Sequence, residues 1–202
     1  MKASKNKLST LKMVEMAILM ALVVVLQSIS SFGFVTLCLC LVPITLGAMV
    51  LDWKGGAILG FAFGVVALFW GLVGKDIFTF YLFQASPFMT VAICLVKGTL
   101  AGLVPALIYK LLKRFNSLMA SIVAAISAPL VNTAIFALGC MMIQNDIVSA
   151  GSFGVSADTF FSVLFGAWIT TNFFIELLIN VVFAPALCTV TSVVDKSINK
   201  EK

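Results

Sequence analysis

The sequence contains no histidine, and charged residues make up only 10% of its 202 positions. Without histidine the chain cannot use an imidazole as a general base, a proton relay or a metal ligand. We therefore expect neither a His-dependent protease nor a di-histidine metal site. A soluble domain typically carries about 25% charged residues, so this chain has too few of them to cover a globule in water.

Cysteine adds no recognisable chemistry. The five cysteines lie inside apolar segments and none forms a C-x-x-C pair, so we interpret them as small hydrophobes. They are Cys38, Cys40, Cys94, Cys140 and Cys188. The sequence also lacks a G-x-S-x-G elbow, a Walker A loop and a G-x-G-x-x-G fingerprint. We expect no ATP hydrolysis, no enzyme activity, no cofactor and no bound metal.

Apolar residues, in contrast, make up 62% of the chain. A helix crosses a bilayer with about 17–25 mostly apolar residues. Six apolar runs of 15 to 35 residues predict an all-α integral membrane protein, a six-transmembrane-helix bundle over residues 13–194 with a basic leader (1–12) and a short tail (195–202). The predicted spans are Met13–Ile29, Leu37–Leu51, Ala57–Val73, Pro87–Leu112, Leu118–Ile143 and Phe160–Val194.

The second run is the shortest and contains Pro43, so a re-entrant segment is the alternative to a span. Six spans with a cytoplasmic N-terminus place eleven Lys and Arg residues inside, with only Lys75 outside and Lys97 within a span. This bias follows the positive-inside rule and predicts a multi-pass plasma-membrane protein with both termini in the cytoplasm. Because the basic residues flank apolar runs, we expect them to contact the lipid bilayer and no nucleic acid.

The ends of the runs also predict the connections. The basic leader resembles the start of a signal peptide, but its removal would leave an odd number of spans, so we expect it to remain. Asp52–Gly56 and Lys113–Ser117 are predicted inner turns. The longer outer loops are either tolerated surface or lids over an outward-facing pocket. Their predicted bounds are Ser30–Thr36, Gly74–Ser86 and Gln144–Thr159.

Several polar residues lie at membrane depth, where a charge costs about 2.5–3.5 kcal/mol and defaults to a functional candidate. Lys97 lies ten residues beyond Pro87, roughly 15 Å into the fourth span. Asn132 lies near the middle of the fifth span. In the sixth span the i, i+4, i+8 spacing places three polar residues on one helical face. They are Asn172, Glu176 and Asn180.

Two interpretations of these residues remain open. Lys97 and Glu176 can pair while the asparagines tie helices together. Alternatively, the side chains line a cavity for a polar solute, and Trp168, Phe136 and Phe78 supply its aromatic walls.

Small residues form a second pattern. Gly56, Gly60 and Gly64 repeat every four residues and predict close approach between helices. Ala17 and Ala21 form a small-x-x-x-small pair in the first span.

The chain resembles the substrate-binding S components of energy-coupling factor (ECF) vitamin transporters. The resemblance rests on six spans in about 200 residues, on Ala17-Ile-Leu-Met-Ala21, and on local stretches between residue 13 and about residue 185. These stretches are Val42-Pro-Ile-Thr-Leu-Gly47, Gly55–Gly64, Gly102–Arg114 and Asn132–Phe136.

The resemblance implies capture of a vitamin or related micronutrient from outside, and ATP-driven uptake by a partner complex. The implied partners are a transmembrane coupling subunit, contacted by Ala17 and Ala21, and two cytosolic ATPase subunits. The resemblance also places Asn132 in the solute pocket. The face of Asn172, Glu176 and Asn180 is a pocket candidate mainly from its spacing.

The solute stays open. Lys97 favours a carboxylate such as pantothenate, whereas Glu176 and the asparagines would suit riboflavin, a queuosine-type precursor or another heterocycle. The main alternative function is a stand-alone oligomeric secondary transporter or channel with Lys97 and Glu176 as its coupling pair. A membrane enzyme and a structural assembly factor are further alternatives.

Overall fold

The computed structural model describes residues 2–32, 35–36 and 39–200, with side chains described for 10–29, 39–166, 168–170, 172–194 and 196. The described residues are mainly helical, with one hairpin of two-residue strands, β1 (Ser31–Phe32) and β2 (Val35–Thr36). The first five helices are α1 (Lys2–Ser30), α2 (Leu41–Val50), α3 (Asp52–Leu72), α4 (Ile77–Ala85) and α5 (Pro87–Leu112). The others are α6 (Ser117–Met142), α7 (Gln144–Ser149), α8 (Phe160–Val163) and α9 (Thr170–Lys200), with a 3-10 turn at Ser152–Gly154 and a π-helical turn at Leu164–Ile169.

The helices confirm the all-α membrane class. Within the described ranges, five segments are long and apolar enough to cross a membrane, and α2 is a shorter apolar helix. The five segments are Thr10–Ile29, Asp52–Leu72, Pro87–Leu112, Ser117–Met142 and Asn172–Val194. The π-helical turn joins α8 to α9 without a break.

The sequence explains where several helices begin. Asn116 precedes α6, and its side-chain oxygen accepts hydrogen bonds from the backbone N–H groups of Leu118 and Met119. Asp76 plays the same part for α4, accepting from the backbone N–H of Thr79 at 3.3 Å. Pro87 begins α5, where the missing proline N–H costs nothing because the first turn has no acceptor for it.

The predicted second span is longer than the helix found there. Helix α2 has ten residues, so it extends about 15 Å, half the thickness of a bilayer core. The predicted start of the span, at residues 37–38, lies outside the described residues. Pro43 falls in the first turn of α2, where a helix tolerates proline.

The predicted inner turn Asp52–Gly56 is wrong, because α3 already begins at Asp52. Asp52 has φ of 64°, and this left-handed residue turns the chain directly from α2 into α3. Two consecutive glycines favour a loop in water, but here a Cβ on Gly55 or Gly56 would meet Leu51 or α5. Close packing therefore keeps this glycine pair helical.

Two predicted outer loops also contain helices. The stretch Gly74–Ser86 contains α4, and Gln144–Thr159 contains α7 and the 3-10 turn. Helix α4 packs on α3, where a Cβ on Gly71 would collide with Thr79. The composition of α4 is poor for an isolated helix, so its packing against α3 and its Asp76 cap decide its conformation.

Helices α3 and α5 are in backbone contact. At three successive turns, a Cβ added to a glycine of α3 would collide with a backbone carbonyl oxygen of α5. The contacts join Gly56 to Gly102, Gly60 to Gly98 and Gly64 to Cys94. Gly98 directly follows Lys97, so this contact sets how far Lys97 stands from α3.

Helix α1 lies at the edge of the bundle and is held at both ends. At the predicted cytoplasmic end, Lys12 forms an exposed ion pair with Asp52 at 3.9 Å. At the predicted outer end, Lys75 donates to the backbone oxygen of Ser28 at 2.6 Å and lies 4.2 Å from the ring of Trp70. The Trp70 indole N–H donates to the Ser28 hydroxyl at 3.2 Å. These contacts fix the end of α1 from which the hairpin continues.

Candidate functional site

Two of the predicted site residues lie at the same depth on facing helices. Ser117 at the start of α6 contacts Cys188 of α9, with 3.6 Å between Oγ and Sγ. The two helices are antiparallel. Asn132 lies 15 residues after Ser117 on α6, and Asn172 lies 16 residues before Cys188 on α9, so the two asparagines lie at the same depth. Both are about 22–24 Å from the contact at 1.5 Å per residue. Asn132 is 5% exposed, so it points into the bundle.

Lys97 reaches the same level from α5. Its ammonium nitrogen lies 5.3 Å from the ring centre of Phe136, which is one helical turn beyond Asn132, and 5.8 Å from the ring centre of Phe63. Because Phe136 is on α6 and Phe63 on α3, the lysine side chain enters the space between these helices. Ring faces attract a cation by about 0.5–2 kcal/mol. The structure thus brings Lys97, Asn132 and Asn172 to one level of the bundle.

The polar face of α9 continues deeper from this level. Glu176 and Asn180 follow Asn172 by one and two helical turns and are 3% and 1% exposed. The Asn180 amide donates to the backbone oxygen of Glu176 at 2.9 Å. Among the described side chains, the Oδ1 atoms of Asn172 and Asn180 are buried and accept no hydrogen bond. A buried acceptor without a donor costs about 1–3 kcal/mol, so this face has capacity for a polar guest.

An aromatic cluster lies on the predicted outer side of these polar residues. Phe78 of α4 lies 5.3 Å from Phe136 and 4.8 Å from Trp168, measured between ring centres. Phe153 lies 4.7 Å from Phe78 and 4.5 Å from Trp168, and Tyr81 lies 5.3 Å from Phe153. Phe78 therefore contacts both of the other predicted wall residues, Phe136 and Trp168.

A cleft opens beside this cluster. Its volume is about 350 Å³, and it is lined by Tyr81, Gly151, Phe153, Gly154 and Trp168. The chain of aromatic contacts thus runs from a surface cleft, through Phe153 and Phe78, to Phe136 beside the Lys97 ammonium. This arrangement can hold a solute with an apolar or aromatic part near the cleft and a polar part near Lys97.

Phe153 has a backbone conformation that is rare for its residue type. Its φ of 61° is left-handed, as are those of Gly151 and Gly154 at 62° and 63°. Glycine adopts this region freely, but a bulky residue there costs about 1–3 kcal/mol and is retained only where its surroundings impose it. The aromatic contacts of Phe153 supply that constraint.

The π-helical turn Leu164–Ile169 carries Trp168 into the cluster. The Thr170 hydroxyl donates to the backbone oxygen of Phe165, five residues earlier, which fits the wider π-helical turn. A single π turn shifts the register of the side chains that follow it and is frequent at functional sites. Trp168 and the polar face of α9 therefore have orientations that a regular helix would not give them.

The predicted coupling contacts lie elsewhere. Ala17 and Ala21 are exposed on α1, whereas Leu19 and Val23 on its opposite face are buried. The small side chains leave an exposed strip on α1 that no described residue covers. The site and this strip are separate features of the bundle.

Sequence reasoning missed Phe153 and Tyr81 at the cleft, and Gly98 and Gly102 on α5. The last two carried a detectable signal, the same four-residue spacing as the α3 glycines. Phe153 lies in a Gly-x-Phe-Gly stretch that indicates a turn, but its stacking partners are distant in sequence. Among the described residues, no group of three or more Cys, Asp or Glu side chains is placed to hold a metal.

Comparison with known proteins identifies the family. The family model described as "ECF transporter, substrate-specific component" matches residues 11–188, most of the chain. No curated protein and no solved structure matched the chain. Members of this family are plasma-membrane subunits that work with a coupling module of transmembrane and ATPase subunits. The chain therefore belongs to the family of substrate-specific components of ECF transporters.

Proposed function

We propose that this chain captures a small acidic nutrient from outside the cell in the space between Lys97 and the aromatic cluster. The observation that carries the proposal is the convergence of Lys97, Asn132 and Asn172 on one level, beneath a cleft of about 350 Å³. Buried polar groups at this depth are expensive, and binding a polar solute would offset part of their cost.

The charge of the site indicates the solute class. The Lys97 ammonium is held among ring faces, so a carboxylate or other anion reaching it would form a charge-assisted hydrogen bond. The free Oδ1 of Asn172 can accept from a hydroxyl or N–H group of the same solute. Pantothenate carries a carboxylate and hydroxyls and is one such solute, but acidic heterocycles carry the same groups.

The proposal includes an orientation and a docking strip. The positive-inside bias of Lys and Arg supports a cytoplasmic position for both termini, and in that orientation the cleft opens outward. Ala17 and Ala21 form the strip that contacts the transmembrane coupling subunit, because they leave a shallow exposed face on α1.

Mass spectrometry of small molecules released from the purified chain tests the proposal. A tight binder retains its solute, so we expect one acidic compound in about one-to-one ratio with protein from native membranes. Co-purification should also recover a coupling subunit and ATPases. A chain that retains no compound and brings down no partner would favour the stand-alone carrier, for which Lys97 and Glu176 are the ionisable pair.

A further inference from the structure

Phe153 fills a corner formed by two other aromatic rings. Phe78 and Trp168 meet at 84° with 4.8 Å between their centres, so their rings form two walls at right angles. The ring of Phe153 lies in this corner, tilted 30° from the plane of Phe78 and 4.7 Å from its centre. Ring centres about 4.5–7 Å apart are typical of favourable aromatic pairs.

The backbone of Phe153 shows that this placement is held by the corner and not by local preference. Phenylalanine at φ of 61° is strained, and release from the corner would let the residue return to an ordinary conformation. Gly151 and Gly154, on either side, have the left-handed conformations that glycine adopts without strain. The segment Gly151–Gly154 is therefore suited to move as the ring leaves.

The corner is also close to Lys97, the proposed contact for the anionic group of the solute. Phe78 contacts Phe136 at 5.3 Å, and Phe136 lies 5.3 Å from the Lys97 ammonium. Phe153 and Trp168 also line the cleft, together with Gly151 and Gly154. A molecule entering by the cleft meets the corner first and the lysine second.

We propose that the Phe78–Trp168 corner is a stacking site for a flat aromatic ring of the solute, and that Phe153 is its intramolecular occupant. The solute class is then a planar ring joined to an anionic group, with the ring in the corner and the anion at Lys97. Phe153 leaves the corner when the solute enters. This inference rests on the proposed function, and it disfavours pantothenate, which has a carboxylate but no planar ring.

A cavity variant tests the corner directly. Phe153→Gly removes the ring and the strain at once, because glycine accepts the left-handed conformation, so the variant should fold. Its corner should accept a free ring, as apolar cavities left by a deleted side chain do. The probe is 4-fluorobenzoate, followed by ¹⁹F NMR with the full-length chain in detergent micelles.

We expect Phe153→Gly to bind 4-fluorobenzoate at least about tenfold more tightly than the unmodified chain. The non-planar probe trans-4-fluorocyclohexanecarboxylate should gain less than about twofold. Adding Trp168→Leu should remove the gain, because it deletes one wall of the corner. The control is Phe88→Gly, which deletes a ring that is 91% exposed and does not line the cleft, and should gain nothing.

The inference is overturned if Phe153→Gly gains no affinity for 4-fluorobenzoate, or gains equally for the planar and non-planar acids. Neither result tests solute capture itself. That function is tested by the compounds and subunits that the unmodified chain retains on purification. If the unmodified chain retains a solute and its partner subunits, but Phe153→Gly gains no affinity for 4-fluorobenzoate, only the stacking site in the corner is refuted.

Discussion

Lys97 supplies the positive charge of the proposed site. An ammonium group inside a lipid-embedded bundle costs about 2.5–3.5 kcal/mol, and ring faces offset only part of that. Its position between Phe63 and Phe136 was not predictable from sequence, because those rings come from two other helices. Its depth was predictable, because span length and rise per residue fix it.

We expect Lys97→Met to weaken binding of the retained acidic solute by about 10–150-fold, the loss of one charge-assisted hydrogen bond worth about 1.5–3 kcal/mol. The methyl ester of the same solute should lose far less. Isothermal titration calorimetry on the full chain measures both.

The control for Lys97 is Lys75→Met, which removes a cation outside the site. Lys75 contacts Ser28 and Trp70, so its loss should loosen the end of α1 but leave the preference for the acid over its ester unchanged. If Lys97→Met lowered affinity equally for the acid and its ester, Lys97 would not be the anion contact.

At the scale of elements, the contact between α3 and α5 positions the site. Composition and apolar runs predicted the long helices well, and the predicted fourth span coincides with α5 at Pro87–Leu112. The prediction failed for α4 and for the start of α3. In both places glycine or aromatic residues favour loops or strands locally, and tertiary packing overrides that preference.

Gly60→Ala should destabilise the bundle by about 1–3 kcal/mol, because its Cβ would collide with the Gly98 carbonyl and separate α3 from α5. The same displacement moves Lys97, so solute affinity should fall as well. Thermal unfolding in detergent, with and without solute, reports both effects.

Gly166→Ala is the matched substitution, since a Cβ there meets no atom within 4 Å. It should leave the melting temperature within about one degree, as surface changes usually do. Equal destabilisation by the two variants would show that the α3–α5 contact is not as tight as described.

At the scale of the whole molecule, the site and the exposed strip of α1 have separate tasks. Family membership follows from residues 11–188 taken together, and no single motif would have established it. Solute identity could not be predicted from sequence, because the polar and aromatic residues of the site come from five separate stretches of chain. Only their assembly shows which groups face each other.

Ala17→Trp tests this separation. The indole should fill the exposed strip and abolish co-purification of the coupling subunit. Solute retained per chain should stay unchanged, because Ala17 is exposed on the face of α1 opposite the buried Leu19 and Val23. Phe174→Trp, an enlargement at an exposed position of α9, should leave both unchanged. Normal recovery of the coupling subunit with Ala17→Trp would refute the docking strip.

The most direct measurement is an experimental structure of the chain purified from native membranes with its solute retained. We predict density for the solute with its anionic group within about 4 Å of the Lys97 ammonium and its remainder directed toward Trp168 and the cleft. Density on the lipid-facing surface, or at the cytoplasmic ends of α5 and α6 with Lys97 untouched, would contradict this prediction.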